Sequence, residues 1–117
     1  MNSSQLEVKD GDKLYLVTRT DLSPGQRAVQ AAHAIPEFAV EHPDLYRAWH
    51  EGSNTLAILE VPNEAALKRL LERAERRGLH FSEFHEPDRG GELTAAALGP
   101  AARNLCRDLP LALRLSA

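Results

Sequence analysis

Hydrophobic positions along the chain switch between two periods. Lys13 to Arg19 (KLYLVTR) is rich in β-branched and aromatic residues and predicts a first strand. Thr55 to Val61 (TLAILEV) is almost continuously apolar and predicts a buried second strand. His80 to His85 (HFSEFH) alternates and predicts a third, and Leu93 to Leu98 (LTAAAL) a fourth. Between the first two, Ala28, Val29, Ala31, Ala32, Ile35, Phe38 and Ala39 share one broad face at helical spacing. Ser23 suits the N-cap of that helix, Pro24 its first position and Gln26 the third residue of a capping box. Pro36 is expected to kink or break it. Asp44 to Glu51 predicts a second, short helix closed by Gly52. Asn63 suits the cap of an amphipathic helix whose apolar residues are Ala65, Ala66, Leu67, Leu70, Leu71 and Ala74 and which stops at Gly78. Ala101 to Asp108 predicts a last helix. Residues 1–11 are polar and aperiodic, a flexible tail to one domain over 12–117, whose apolar end, Leu109 to Ala117, packs on it.

The order β-α-α-β-α-β-β-α argues for an α/β fold with helices on both faces of the sheet. Helical crossovers make strands 1, 2 and 3 parallel, and the short loop before strand 4 makes it antiparallel to the others. Sites in such sheets lie beyond the carboxyl ends of the parallel strands. That edge gathers Arg19, Thr20 and Asp21, the Ser23 helix start, Val61-Pro62-Asn63, the loop from His85 to Asp88, and Glu92 and Thr94.

Composition narrows the chemistry. The net charge of −3 speaks against a general nucleic-acid coat. A single cysteine, Cys106, excludes an internal disulfide and a cysteine-rich zinc site, and the five histidines fit no metal-ligand spacing. No basic-then-apolar leader and no membrane-length apolar run occur, so a cytoplasmic protein with no membrane partner is expected. No GxGxxG, Walker loop or GxSxG elbow is present. Gln26, Gln30, His33 and Glu37 share one stripe of the first helix, which is either a solvated face or one wall of the crevice. His33 is either structural or an acid–base group. Asp88 is either ordinary turn chemistry or a catalytic carboxylate. Arg19, Arg27 and Arg89 either form a small cationic rim fit for phosphates or are solvated separately. Backbone N–H groups of Gly25 and Gln26 are placed to meet an anion.

The segments "LYLVTRTDLSPGQRAVQAAHA", "LAILEVPNEAALKRLLERAERRGL" and "EPDRGGELTAAALGP" together resemble the peptidyl-tRNA hydrolase 2 family, and more narrowly its compact bacterial and phage-type members. The resemblance implies a three-layer α/β/α sandwich with a four-stranded mixed sheet. It implies hydrolysis of the ester between peptide and tRNA, with the acceptor end of tRNA as partner and no metal or organic cofactor. By position it makes His33, Asp88 and Thr94 catalytic and gives Arg19, Asp21, Gln26, Arg27, Gln30 and Arg89 to the substrate. The family's loop lysine falls near Gln26 or Arg27, in a shortened Ser-Pro-Gly-Gln-Arg stretch. A relative that binds tRNA, a nucleotide or a protein without hydrolysis is the alternative, and a homodimer is allowed for.

Overall fold

β1 (Lys13–Arg19) is buried from Leu14 onward because both of its faces are covered. Leu14 and Leu16 join one apolar cluster, and Tyr15 and Val17 join another on the opposite side. The computed structural model describes residues 6–113, so the last residues of the apolar tail, from 114, and residues 1–5 lie outside it. β2 (Thr55–Val61) pairs with β1 in parallel, Leu14 beside Leu56 and Arg19 beside Val61. β4 (Glu92–Leu98) runs antiparallel between β1 and β3 (Phe81–Glu86), giving the order β2-β1-β4-β3. The four-stranded mixed sheet, with β4 opposed to the other three, matches the expected topology.

α1 (Pro24–Glu41) and α2 (Pro43–Glu51) close the first face around Phe38, Leu45, Trp49, Ala95 and Ala97. Leu6 and Val8, from the stretch read as a tail, pack against the same cluster. α3 (Glu64–Arg76) and α4 (Arg103–Cys106) close the second face through Leu67, Leu70, Leu71, Leu105 and Cys106. The caps form as the residues dictate: Ser23 Oγ accepts the Gln26 N–H at 3.3 Å, and Asn63 Oδ1 the Ala66 N–H at 2.9 Å.

Two expectations change. α1 runs unbroken through Pro36, whose exposed position puts the missing hydrogen bond on the solvent side of the helix, where water can satisfy the freed carbonyl. The last helix is shorter than expected, a 3₁₀ turn at Pro100–Ala102 followed by the single turn of α4. Beyond it the chain returns to the free edge of β2, where the Glu60 N–H reaches Pro110 O at 3.0 Å and the Ala112 N–H reaches Ile58 O at 2.8 Å.

At the amino end of β3, His80 Nε2 is buried and, among the described residues, has no hydrogen-bond partner. Burial, with the neighbouring His42 ring, pulls the His80 pKa below its ordinary value. A base with a lowered folded-state pKa loses stability as pH falls below its unfolded value near ~6.5. The stability of His80→Leu relative to wild type is therefore expected to rise as the pH goes from about 7 to 5. Urea unfolding of both proteins at each pH checks it, and a difference independent of pH rejects it.

Candidate active site

The site begins with a break in the β3–β4 ladder. Phe84 lies opposite Ala95 but His85 lies opposite Leu93, so Thr94 is an extra residue on β4. The bulge turns two consecutive side chains, Thr94 and Ala95, toward α1, while Leu93 and Ala96 face α3. Thr94 Oγ1 donates to Gln30 Oε1 at 2.6 Å, and Gln30 Nε2 donates to Gln26 Oε1 at 3.5 Å. Thr18 Oγ1 donates to the Thr94 carbonyl at 3.2 Å. A polar line thus runs from the sheet interior, where Thr94 and Gln30 are fully buried, to the exposed Gln26. The Gln26 side chain turns to Gln30, not back to Ser23, so the capping box is only half formed. Thr94→Val keeps the shape but leaves Gln30 Oε1 unpaired in a dry setting. It is expected to cost about 1–2 kcal/mol, readable as a lowered urea midpoint, whereas an unchanged midpoint would show that the pair contributes nothing.

The bulge also frees the backbone of Leu93, and two side chains take it up. Glu64 Oε2, in the first turn of α3, accepts the Leu93 N–H at 2.8 Å. Arg19 Nη1 donates to the Leu93 carbonyl at 3.0 Å and to Glu92 Oε1 at 2.8 Å. The other side of the Arg19 guanidinium grips Asp21 in a two-pronged pair, both distances 2.9 Å. Asp21 and Glu92 are consequently held below the ordinary carboxylate range, first by their hydrogen bonds to Arg19, and Arg19 is pushed above its own ordinary value.

The three arginines, read either as a cationic rim or as separately solvated side chains, each face a carboxylate at this edge. Arg19 is buried in the network just described. Arg27 folds toward β2, donating to Leu22 O at 2.8 Å, Thr20 O at 2.9 Å and Glu60 Oε2 at 3.1 Å. Arg89 is exposed and stands 3.6 Å from Glu92 Oε1. Each guanidinium already meets a carboxylate: Arg19–Asp21 and Arg89–Glu92 are neighbours along the chain, whereas Arg27–Glu60 and Arg19–Glu92 meet only through the topology.

His33 is exposed and lies flat on Phe84 of β3, ring centroids 4.5 Å apart and planes within 5°. Its ring nitrogens make no hydrogen bond among the described residues. Asp88 sits four residues beyond Phe84, on the 3₁₀ turn Pro87–Arg89. The turn closes through Gly90 and Gly91, whose φ values of 67° and 81° favour glycine. His85 braces it: Nδ1 lies 3.0 Å from the Gly91 carbonyl and Nε2 2.7 Å from Glu83 Oε1. Both partners are acceptors, so both bonds form only with the imidazolium, and the Glu83 carboxylate raises the His85 pKa. The Asp88 carboxylate is exposed and has no partner among the described residues. No hydrogen bond joins it to His33 or Thr94 there. At the start of α1, with Gln26 N–H bound to Ser23, the Gly25 N–H is left as an open donor among the described residues.

Residues 12–116 match the family model described as Peptidyl-tRNA hydrolase PTH2. The chain belongs to that family. A solved structure of a protein of unknown function from Agrobacterium tumefaciens covers 85% of this PTH2 chain and 96% of its own, with a TM-score of 0.60 and 14% identity. That likeness is one of fold. Within the PTH2 fold, two residues absent from the sequence reading of this edge, Glu64 and Phe84, help hold it in shape, with Glu92, which the sequence placed there without a role. Glu64 was visible as the acid opening a helix after Val-Pro-Asn, but its bond to β4 depends on a bulge that leaves no mark in LTAAAL. A cavity of about 480 Å³ opens between α3 and β3, lined by Leu71, Phe81, Glu83 and Leu93, and touches none of the candidate residues.

Proposed function

We propose that the protein hydrolyses the ester linking a peptide to the terminal ribose of tRNA, in the cytoplasm, releasing tRNA and the peptide acid. Family membership supports the reaction class. The observation that carries the reading is the partnerless Asp88 carboxylate on a braced turn, four residues along from the Phe84 on which His33 lies. An acid–base group needs a free lone pair and a held backbone, and Asp88 has an unpartnered carboxylate on a braced turn.

In this reading a water molecule attacks the ester carbonyl while Asp88 accepts its proton. His33 hands a proton to the departing ribose oxygen, which leaves as the tRNA hydroxyl. Gln26 presents an amide to the substrate, fixed from behind by Gln30, and Thr94 acts through Gln30 because its hydroxyl is buried and engaged. Arg19 and Asp21 are positioning residues in this scheme, and Arg27 ties the loop before α1 to β2. Arg89 is the cation of this edge most open to a phosphate.

A second reading, tRNA binding without cleavage, is favoured by one observation: Arg19 and Arg27 are both tied to internal acceptors, and no lysine stands in the Ser23–Arg27 stretch. Incubating the purified protein with a defined peptidyl-tRNA separates the two. Release of free tRNA and peptide at a rate proportional to enzyme is expected. Salt-sensitive binding without release would replace the first reading by the second.

A further inference from the structure

The outer surface of α3 separates its charges. At 3.6 residues per turn, Arg69, Arg73, Arg76 and Arg77 fall within about 100° of one another around the helix axis. Lys68, Glu72 and Glu75 fall on the flank that lines the cavity beside β3, and Arg76, at the margin of the ridge, borders the same cavity. All four of those arginines are exposed, and none of their guanidinium groups has an ion pair or hydrogen bond among the described residues. Arg19, Arg27 and Arg89, by contrast, each face a carboxylate.

A solvated helix gains from opposite charges four residues apart, and like charges at that spacing weaken it. Arg69 to Arg73 and Arg73 to Arg77 are both like-charged steps. The carboxyl-terminal end of the helix favours cations, which accounts for Arg73, Arg76 and the cap residue Arg77 but not for Arg69, two turns before Arg76. In a chain of net charge −3, such a ridge stands out as a local basic surface. Its position is informative too. α3 starts at the carboxyl edge of the sheet, where Glu64 holds Leu93, and runs away from it. At 1.5 Å per residue the ridge extends from about 9 to 21 Å beyond the Asn63 cap. It leads away from the edge that carries Asp88, along the opposite layer to α1.

We propose that the Arg69–Arg73–Arg76–Arg77 ridge is a second RNA-binding surface, taking the phosphate backbone of a duplex stem whose end reaches the sheet edge. The identification of the RNA as tRNA rests on the function proposed above. The ridge itself rests on charge and placement. Arginine suits this role because its fork matches phosphate oxygens and stays charged at any working pH.

The probe is uncharged tRNA, with binding followed by fluorescence anisotropy over a range of salt. Arg69→Glu/Arg73→Glu is expected to weaken binding at least ~10-fold near 100 mM salt, and Arg69→Gln/Arg73→Gln to lower the salt slope by about 2. Both positions are exposed, and circular dichroism confirms that the variants are folded. A second arm compares kcat/KM on peptidyl-tRNA with that on a peptide ester of the terminal trinucleotide, which has no stem. Loss confined to peptidyl-tRNA supports the ridge. Unchanged tRNA affinity and slope, absence of tRNA binding by the wild type, or equal loss on both esters would each overturn it. If the wild type cleaves neither ester yet binds tRNA in a ridge-dependent way, the hydrolase reading falls and the ridge stands.

Discussion

Asp88→Asn is expected to slow peptidyl-tRNA cleavage by at least ~10²-fold, mostly in kcat, while leaving the melting temperature where it was. The two halves of that expectation have separate causes. The carboxylate is exposed and bonded to no described group, so exchanging it for an amide of the same shape removes no contact. The turn beneath it is held by other atoms, the Gly91 N–H on Glu86 O at 2.9 Å and His85 on the Gly91 carbonyl at 3.0 Å. What the amide lacks is the ability to take a proton from water. Single-turnover kinetics on a defined peptidyl-tRNA, beside a thermal melt, measures both halves. Full activity in the variant would remove Asp88 from the chemistry, and a large fall in melting temperature would make it structural.

Arg19→Leu is expected to be the most destabilising change at the site, about 2–3 kcal/mol, because it removes a charged donor from the buried Leu93 carbonyl and from two carboxylates. The figure stays below that for a fully buried ion pair because Asp21 and Glu92 are 43% and 36% exposed and water takes over part of their solvation. For about 100 residues this is a fall in melting temperature on the order of 10–20 °C. The acid limb of the stability curve carries a second signature. Asp21 and Glu92 have lowered folded-state pKa values, so their pairing with Arg19 contributes fully above the ordinary carboxylate range. That contribution disappears as the pH falls through and below it. Without Arg19 the decline between about pH 5 and 2 becomes shallower. Urea titrations of both proteins across that range test it, and parallel curves would show that the carboxylates owe nothing to Arg19.

The strands were readable because their composition and their packing agree. β1 is covered on both faces and its sequence is rich in strand formers, and the bounds of β1 and β2 fall where the sequence placed them. The caps at Ser23 and Asn63 were readable because capping is local chemistry. The candidate site was readable only to the level of which residues the sheet edge gathers. Gln30 and Thr94 were named, but their mutual bond depends on a bulge, and a bulge in a run of alanines has no signature. The partner of Arg27 was hidden for a related reason. Pairing Arg27 with Glu60 takes residues thirty-three positions apart, and charge counts along the chain do not show who meets whom. Pro36 does not break α1, because it stands on the exposed side of the helix, where water can satisfy the freed carbonyl.

The return of Pro110–Ala112 to the edge of β2 has a consequence for how the molecule tolerates crowding. An unpaired strand edge is a template on which a neighbouring chain can add and seed a fibril. The two bonds from Glu60 and to Ile58 blunt that template on one margin of the sheet. The other margin, β3, has no partner strand outside β4 among the described residues, and there Glu83, His85 and Glu86 act as gatekeepers by charge. The same His85 ring that braces the Asp88 turn therefore also stands on that open margin.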